Sequence, residues 1–238
     1  MRCRARESAA HEQAYCLASP LDRHVLRDGV VRHAGDVWTW TAIDAESKLM
    51  VSWLMGSRDS NCAYQFLRDL RTRLEGRPQI TTDGHKPYIQ GMTAAFGNDV
   101  DYAMLIKLFG PAPEGERRYS PAVCTGTITQ VMQGSPDKKH INTSFAERQN
   151  LNMRMSMRRF TRLTNAFSKK FENQAHMLAI YFVHYNWMRK HKTLGTTPAI
   201  AAGLTPVTMS MADVVQMIDV DERVAIQTSR EKILSLSN

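Results

Sequence analysis

The feature that most constrains this chain is a change of period. From Val37 to Ile43 (Val-Trp-Thr-Trp-Thr-Ala-Ile) side-chain types alternate with period two. A polar turn follows at Asp44-Ala-Glu-Ser, then a second β-prone run, Leu49 to Leu54. This pattern predicts an antiparallel hairpin. From Asp59 to Leu74 the apolar residues Ala63, Phe66, Leu67, Leu70 and Leu74 fall on one stripe of a 3.6-residue wheel, which predicts an amphipathic helix. Pro78 to Thr82 reads as a short buried strand ending at Asp83, Lys86 to Phe96 as a helix, and Tyr102 to Phe109 as another strand. The order β-β-α-β-α-β followed by helices predicts an α/β fold with a mixed sheet flanked by helices.

The other regions are less patterned. Residues 1–34 mix charged residues, histidines and alanines without sustained periodicity, and are expected to be an irregular N-terminal segment with at most a small hairpin at Asp28-Gly29. Gly110 to Lys139 is rich in Pro, Gly, Ser and Thr and reads as an irregular connection with a short hairpin around Val123 to Gln133. A helix is expected from about Asn173 to His191. Thr197-Pro198 then interrupts it before a short element, Ala199 to Gly203. Residues 35–203 are therefore one domain and 204–238 a C-terminal tail.

Charge narrows the partners. The 238 residues hold 31 Lys+Arg against 23 Asp+Glu, a formal +8, which favours a polyanion such as nucleic acid. No stretch approaches the roughly 18 to 20 apolar residues of a membrane span, and the N-terminus lacks an apolar signal core. A membrane partner is not expected, and a cytoplasmic location is. Cys3, Cys16, Cys62 and Cys124 are scattered, without a C-x-x-C pair or histidines at zinc spacing, and read as ordinary thiols.

From Ser144 the helical signal is strong. Met153, Met157, Phe160, Phe167 and Phe171 cluster on one side of the wheel, and Glu147, Arg154, Arg158, Arg162 and Lys169 near the other. One acid, Glu147, thus opens a long basic helix. Ser144-Phe-Ala-Glu147 also fits a capping box, in which the acid merely satisfies a backbone N–H. Asp83-Gly84 is a common turn pair, and His85 and Lys86 beside it are ordinary loop residues or phosphate contacts. Arg148, Arg154, Arg158, Arg159, Arg162 and Lys169 are the candidate DNA-binding set, since few acids neutralise them and such groups contact phosphates without reading sequence. Trp38, Trp40 and Trp53 read as core. His176, His184 and His191 show no supported metal-ligand spacing.

The words Gly35-Asp-Val-Trp-Thr-Trp-Thr-Ala-Ile-Asp44, Thr81-Thr-Asp-Gly-His-Lys-Pro-Tyr88 and Glu147 to Lys170 resemble transposases of small bacterial insertion sequences, as does Tyr185 to Gly203. This is the Asp-Asp-Glu superfamily, in the insertion-sequence-one-like group. The resemblance implies a ribonuclease-H-like fold whose long basic helix carries the third acid. It also implies cleavage and strand transfer of DNA ends with Mg²⁺ or Mn²⁺, two ions held by three carboxylates. Asp83 resembles the second catalytic, metal-binding acid and Glu147 the third.

The same resemblance implies element-end and target DNA as partners, a homo-oligomer when active, and a bacterial nucleoid setting. The family's first acid lies in an Asp-Glu-aliphatic-Trp word about twenty residues before Gly35, and no such word occurs here. A truncated or frame-disrupted copy is the corresponding expectation. A catalytically inactive DNA-binding remnant is then the alternative to an active transposase, and a nuclease for RNA–DNA hybrids a third reading.

Overall fold

The computed structural model describes residues 13–20, 37–110, 124–160 and 170–220. Six strands form one sheet: β1 (Gln13–Pro20), β2 (Trp38–Asp44), β3 (Met50–Gly56), β4 (Gln79–Thr82), β5 (Asp101–Phe109) and β6 (Cys124–Gln133). Their order is β3-β2-β1-β4-β5-β6. β1 runs antiparallel to β2 and parallel to β4, β4 parallel to β5, and β6 antiparallel to β5. This mixed arrangement is compatible with a ribonuclease-H-like fold. The helices are α1 (Ser60–Arg73), α2 (Pro87–Phe96), α3 (Ser144–Ser156), α4 (Phe171–Val183) and the short α5 (Pro198–Ala201).

Period-two alternation in β2 sends its side chains to two cores. Trp40 and Ala42 join Phe66, Leu67 and Leu70 of α1 and Tyr88 and Met92 of α2. Ile43 joins Met153 of α3 and Leu178 and Phe182 of α4. The sheet is thus covered on both faces, which explains why β2 is buried along most of its length. α1 begins where expected, because the Asp59 carboxylate accepts the Cys62 N–H at 2.8 Å, and it buries Ala63, Phe66, Leu67 and Leu70 completely.

Three sequence expectations are corrected. Residues 1–34 are not uniformly irregular: Gln13–Pro20 forms β1, in the middle of the sheet between β2 and β4. The hairpin expected at Asp28-Gly29 lies outside the described residues. The stretch Val123 to Gln133 is not a hairpin of its own, since Cys124–Gln133 is a single strand paired along β5.

The expected long basic helix is also interrupted within the described residues. α3 ends at Met157, whose backbone is extended (φ −122°, ψ 107°), and a 3₁₀ turn follows at Arg158–Phe160. Met153, Met157 and Phe160 are all buried in the same core, and the break brings the last two onto it. Residues 161–169 lie outside the described set.

Two further features fix the connection into α3. Gln79, buried at the start of β4, exchanges hydrogen bonds with the Asp137 backbone at 3.0 and 2.8 Å. Gly134 has φ +69°, and a Cβ there would meet Asp101 Oδ1 at 2.1 Å, so only glycine fits this corner. After α4, a π-helical turn at His184–Met188 carries Asn186 against β3. Within the stretch read as a tail, residues 211–220 are helical, with Val215, Met217, Ile218 and Val220 exposed.

Candidate active site and nucleic-acid interface

β4 (Gln-Ile-Thr-Thr) is short and buried along its whole length: Ile80 packs into the core beneath α1 and α2, and alternation turns Thr81 the opposite way. By alternation Asp83, just past the strand, lies on the side of α3. The turn after it is tight: a Cβ at Gly84 would sit 3.1 Å from Ile106 of β5. Asp83 Oδ1 accepts the His85 N–H at 3.2 Å. Burial raises the Asp83 carboxyl above its ordinary value, the His85 N–H and the Arg58 charge oppose the rise, and the Glu147 charge adds to it. Asp83 and Glu147 are therefore close enough for their charges to repel.

Glu147 stands in the first turn of α3, which lies against β1 and β2. It does not form the capping box. Asn142 Oδ1 takes the Ser144 N–H at 2.9 Å, while the Glu147 oxygens take two other donors. Thr143 Oγ1 donates to Oε1 at 2.7 Å, and Lys107 Nζ donates to Oε2 at 2.6 Å. Lys107 comes from β5, where alternation puts Tyr102 and Met104 into the α1/α2 core and turns Lys107 toward α3. The carboxylate is thus held by the Thr143 hydroxyl and the Lys107 ammonium of β5.

His85 packs against Trp40 and Tyr88, with ring centroids 5.6 and 5.7 Å away. Its Nε2 is buried without a hydrogen-bond partner. Burial, reinforced by the Arg58 charge, lowers its pKa to about 4, so the ring is neutral at pH 7. Arg58, on the β3–α1 loop, stacks over Trp38 with its guanidinium carbon 4.5 Å from the ring centroid. Trp38, Trp40 and Trp53 all pack with the cores, as their alternation predicts.

Asp83 and Glu147 thus lie within range of each other's charge, and the basic residues are spread over α3 and the 3₁₀ turn. Arg148 and Arg154 are exposed on α3, but six residues apart they point in different directions around a helix. Arg158 is exposed and Arg159 half-buried on the 3₁₀ turn, where Arg159 Nη1 donates to the Asn173 carbonyl at 3.3 Å. Arg162 and Lys169 lie outside the described residues. Lys107 and Arg58 belong to no sequence motif. The one signal for Lys107 is that it is the sole charge within the apolar run Tyr102 to Phe109.

The resemblance puts a first acid on the opening strand, and here that strand is β1. β1 pairs in parallel with β4, Cys16 level with Thr82, one residue short of Asp83. Its sequence, Gln-Ala-Tyr-Cys-Leu-Ala-Ser-Pro, contains no Asp or Glu. Among the described residues no group of three or more His, Cys, Asp and Glu side chains is placed to hold a metal ion. Among them too, no helix is long and apolar enough to cross a membrane.

The chain matches no protein-family profile. No curated protein matches it. Among solved structures it is similar to piggyBac transposase, seen by cryo-electron microscopy in a synaptic complex with hairpin DNA, at 10% identity and a TM-score of 0.37. The similarity covers 72% of this chain and 45% of the piggyBac chain, so this protein spans less than half of that transposase.

Proposed function

We propose that this protein is a DNA-binding, transposase-like chain of the Asp-Asp-Glu type that does not by itself cut and join DNA ends. What supports the reading is that the Glu147 charge acts on Asp83 at the end of β4, beside the central strand β1, whose sequence has no carboxylate to complete the pair. The words resembling insertion-sequence transposases fall on those two acids, and the net charge of +8 suits a polyanionic partner. Arg148, Arg154, Arg158 and Arg159 would contact phosphates, joined by Arg162 and Lys169. The partner would be DNA of insertion-element ends and targets in a bacterial nucleoid, and an active relative would supply the oligomer.

The resemblance implies two Mg²⁺ or Mn²⁺ ions. Asp83 and Glu147 are hard oxygen donors of the right chemistry. A pair of such ions requires a further carboxylate, and β1 offers none, while Glu147 is already bound to an ammonium. The described residues do not fit a two-ion site.

The test uses the full chain with duplex DNA of several unrelated sequences, followed by fluorescence anisotropy across a salt series. Binding that weakens steeply with salt and little with sequence is expected. With Mg²⁺ or Mn²⁺ and element-end DNA, no nicked or joined product should form. Metal-dependent joining would overturn the inactivity, and absence of binding at low salt would overturn the DNA-binding reading.

A further inference from the structure

The carboxylate of Glu147 has both oxygens occupied by the protein's own groups, the Thr143 hydroxyl on one and the Lys107 ammonium on the other. The charge of a second cation, Arg58, which stacks over Trp38, also acts on Asp83. Each of the two acids thus has a cation of the chain's own acting on it, and His85, whose backbone N–H bonds Asp83, carries a neutral ring. The side chains of Lys107 and Glu147 are 31% and 38% exposed, so water and ions reach the pair.

We propose that Lys107 is the resident cation of this site, that a divalent ion reaches Glu147 only by displacing the Lys107 ammonium, and that the Asp83–Glu147 pair takes no more than one such ion. The proposal rests on reading Asp83 and Glu147 as a cation-holding pair, and is independent of whether the arginines bind DNA. An ammonium and a hydrated divalent ion compete for the same Oε2 lone pairs, and both are favoured by the same negative charge. Removing the ammonium leaves that charge uncompensated, so a divalent ion should then bind more tightly.

The experiment is Mn²⁺ titration of the full chain in metal-free buffer, following the free-ion signal by electron paramagnetic resonance. Wild type should bind at most one ion, weakly. Lys107→Met, which keeps the stem and removes the charge, should bind at least about tenfold more tightly. Lys107→Arg should stay near wild type, and Glu147→Gln in the Lys107→Met background should lose the gain. Two ions per wild-type chain, or equal affinity in wild type and Lys107→Met, would overturn the proposal. Circular dichroism checks each variant, with Lys107→Gln taking the place of Lys107→Met if the latter does not fold. Salt-dependent DNA binding, measured in chelator, reads the DNA-binding proposal separately, so either can fail while the other stands.

Discussion

Asn186 pairs with both backbone groups of Met50: Oδ1 accepts the Met50 N–H at 2.9 Å and Nδ2 donates to the Met50 carbonyl at 3.0 Å. β3 is an edge strand, and the asparagine mimics the neighbour it lacks. Tyr185, beside it, donates its hydroxyl to the Lys48 carbonyl at 3.1 Å. Asn186→Leu would leave the buried Met50 groups unsatisfied and should destabilise the fold by about 2–4 kcal/mol. Urea unfolding of both proteins measures this, and a loss below about 0.5 kcal/mol would show that the pairing contributes little.

Asp83 is the acid whose burial works against folding. Its folded pKa is raised above the ordinary carboxyl value, so it stabilises the fold fully while protonated at low pH. That contribution is lost as pH rises through the folded pKa. Asp83→Asn keeps an acceptor for the His85 N–H and removes the ionisation. The variant should therefore melt at higher temperature than wild type at pH 7, and the difference should shrink as pH falls through the raised folded pKa toward the ordinary carboxyl value of about 4. Melting curves across pH decide it, and a variant less stable at neutral pH would contradict the placement.

His85 shows the opposite dependence. Its folded pKa of about 4 lies below the ordinary 6.5. The unfolded chain takes up the proton first, so stability from the neutral ring is present above pH 6.5 and is lost as pH falls toward about 4. His85→Phe, packed between Trp40 and Tyr88, should flatten the stability profile in that window. In the wild type, the His85 ring resonances should titrate near pH 4 by NMR; a midpoint near 6.5 would show a solvated ring.

The arginine prediction is electrostatic. Replacing Arg154, Arg158 and Arg162 together with Ala should weaken DNA binding equally across unrelated sequences. It should also reduce the salt slope by about 0.9 for each phosphate that is no longer neutralised. Unchanged slope in a folded triple variant would remove these residues from the interface.

What the sequence revealed followed from local pattern. Trp40 and Ala42 face one core and Ile43 the other, so β2 could be read from its own alternation. α1 could be read from Asp59 and its apolar stripe. The places of Asp83 just past β4 and of Glu147 in the first turn of α3 could be read from the runs around them. β1 was not, because Gln-Ala-Tyr-Cys-Leu-Ala-Ser-Pro has no alternation of its own, and the partners that make it a strand are β2 and a distant β4. Lys107 was not, because its partner lies 40 residues later in the chain. The stop of α3 at Met157 depends on a core shared with α4, which wheel geometry within one segment does not contain.

The position of β1 has a consequence for the order of assembly. It is made first, yet it joins two groups of strands made afterwards: β2 and β3 on one side, β4, β5 and β6 on the other. The β2–β3 pair can close locally as soon as it leaves the ribosome. The two groups become one sheet only when β4, far downstream, docks along the strand that has waited for it. Such a long closure slows folding relative to the local pairings. A chain lacking residues 13–20 would retain both groups of strands and lose the hydrogen-bonded ladder that unites them, parting Asp83 from the half of the sheet that carries Trp38 and Trp40.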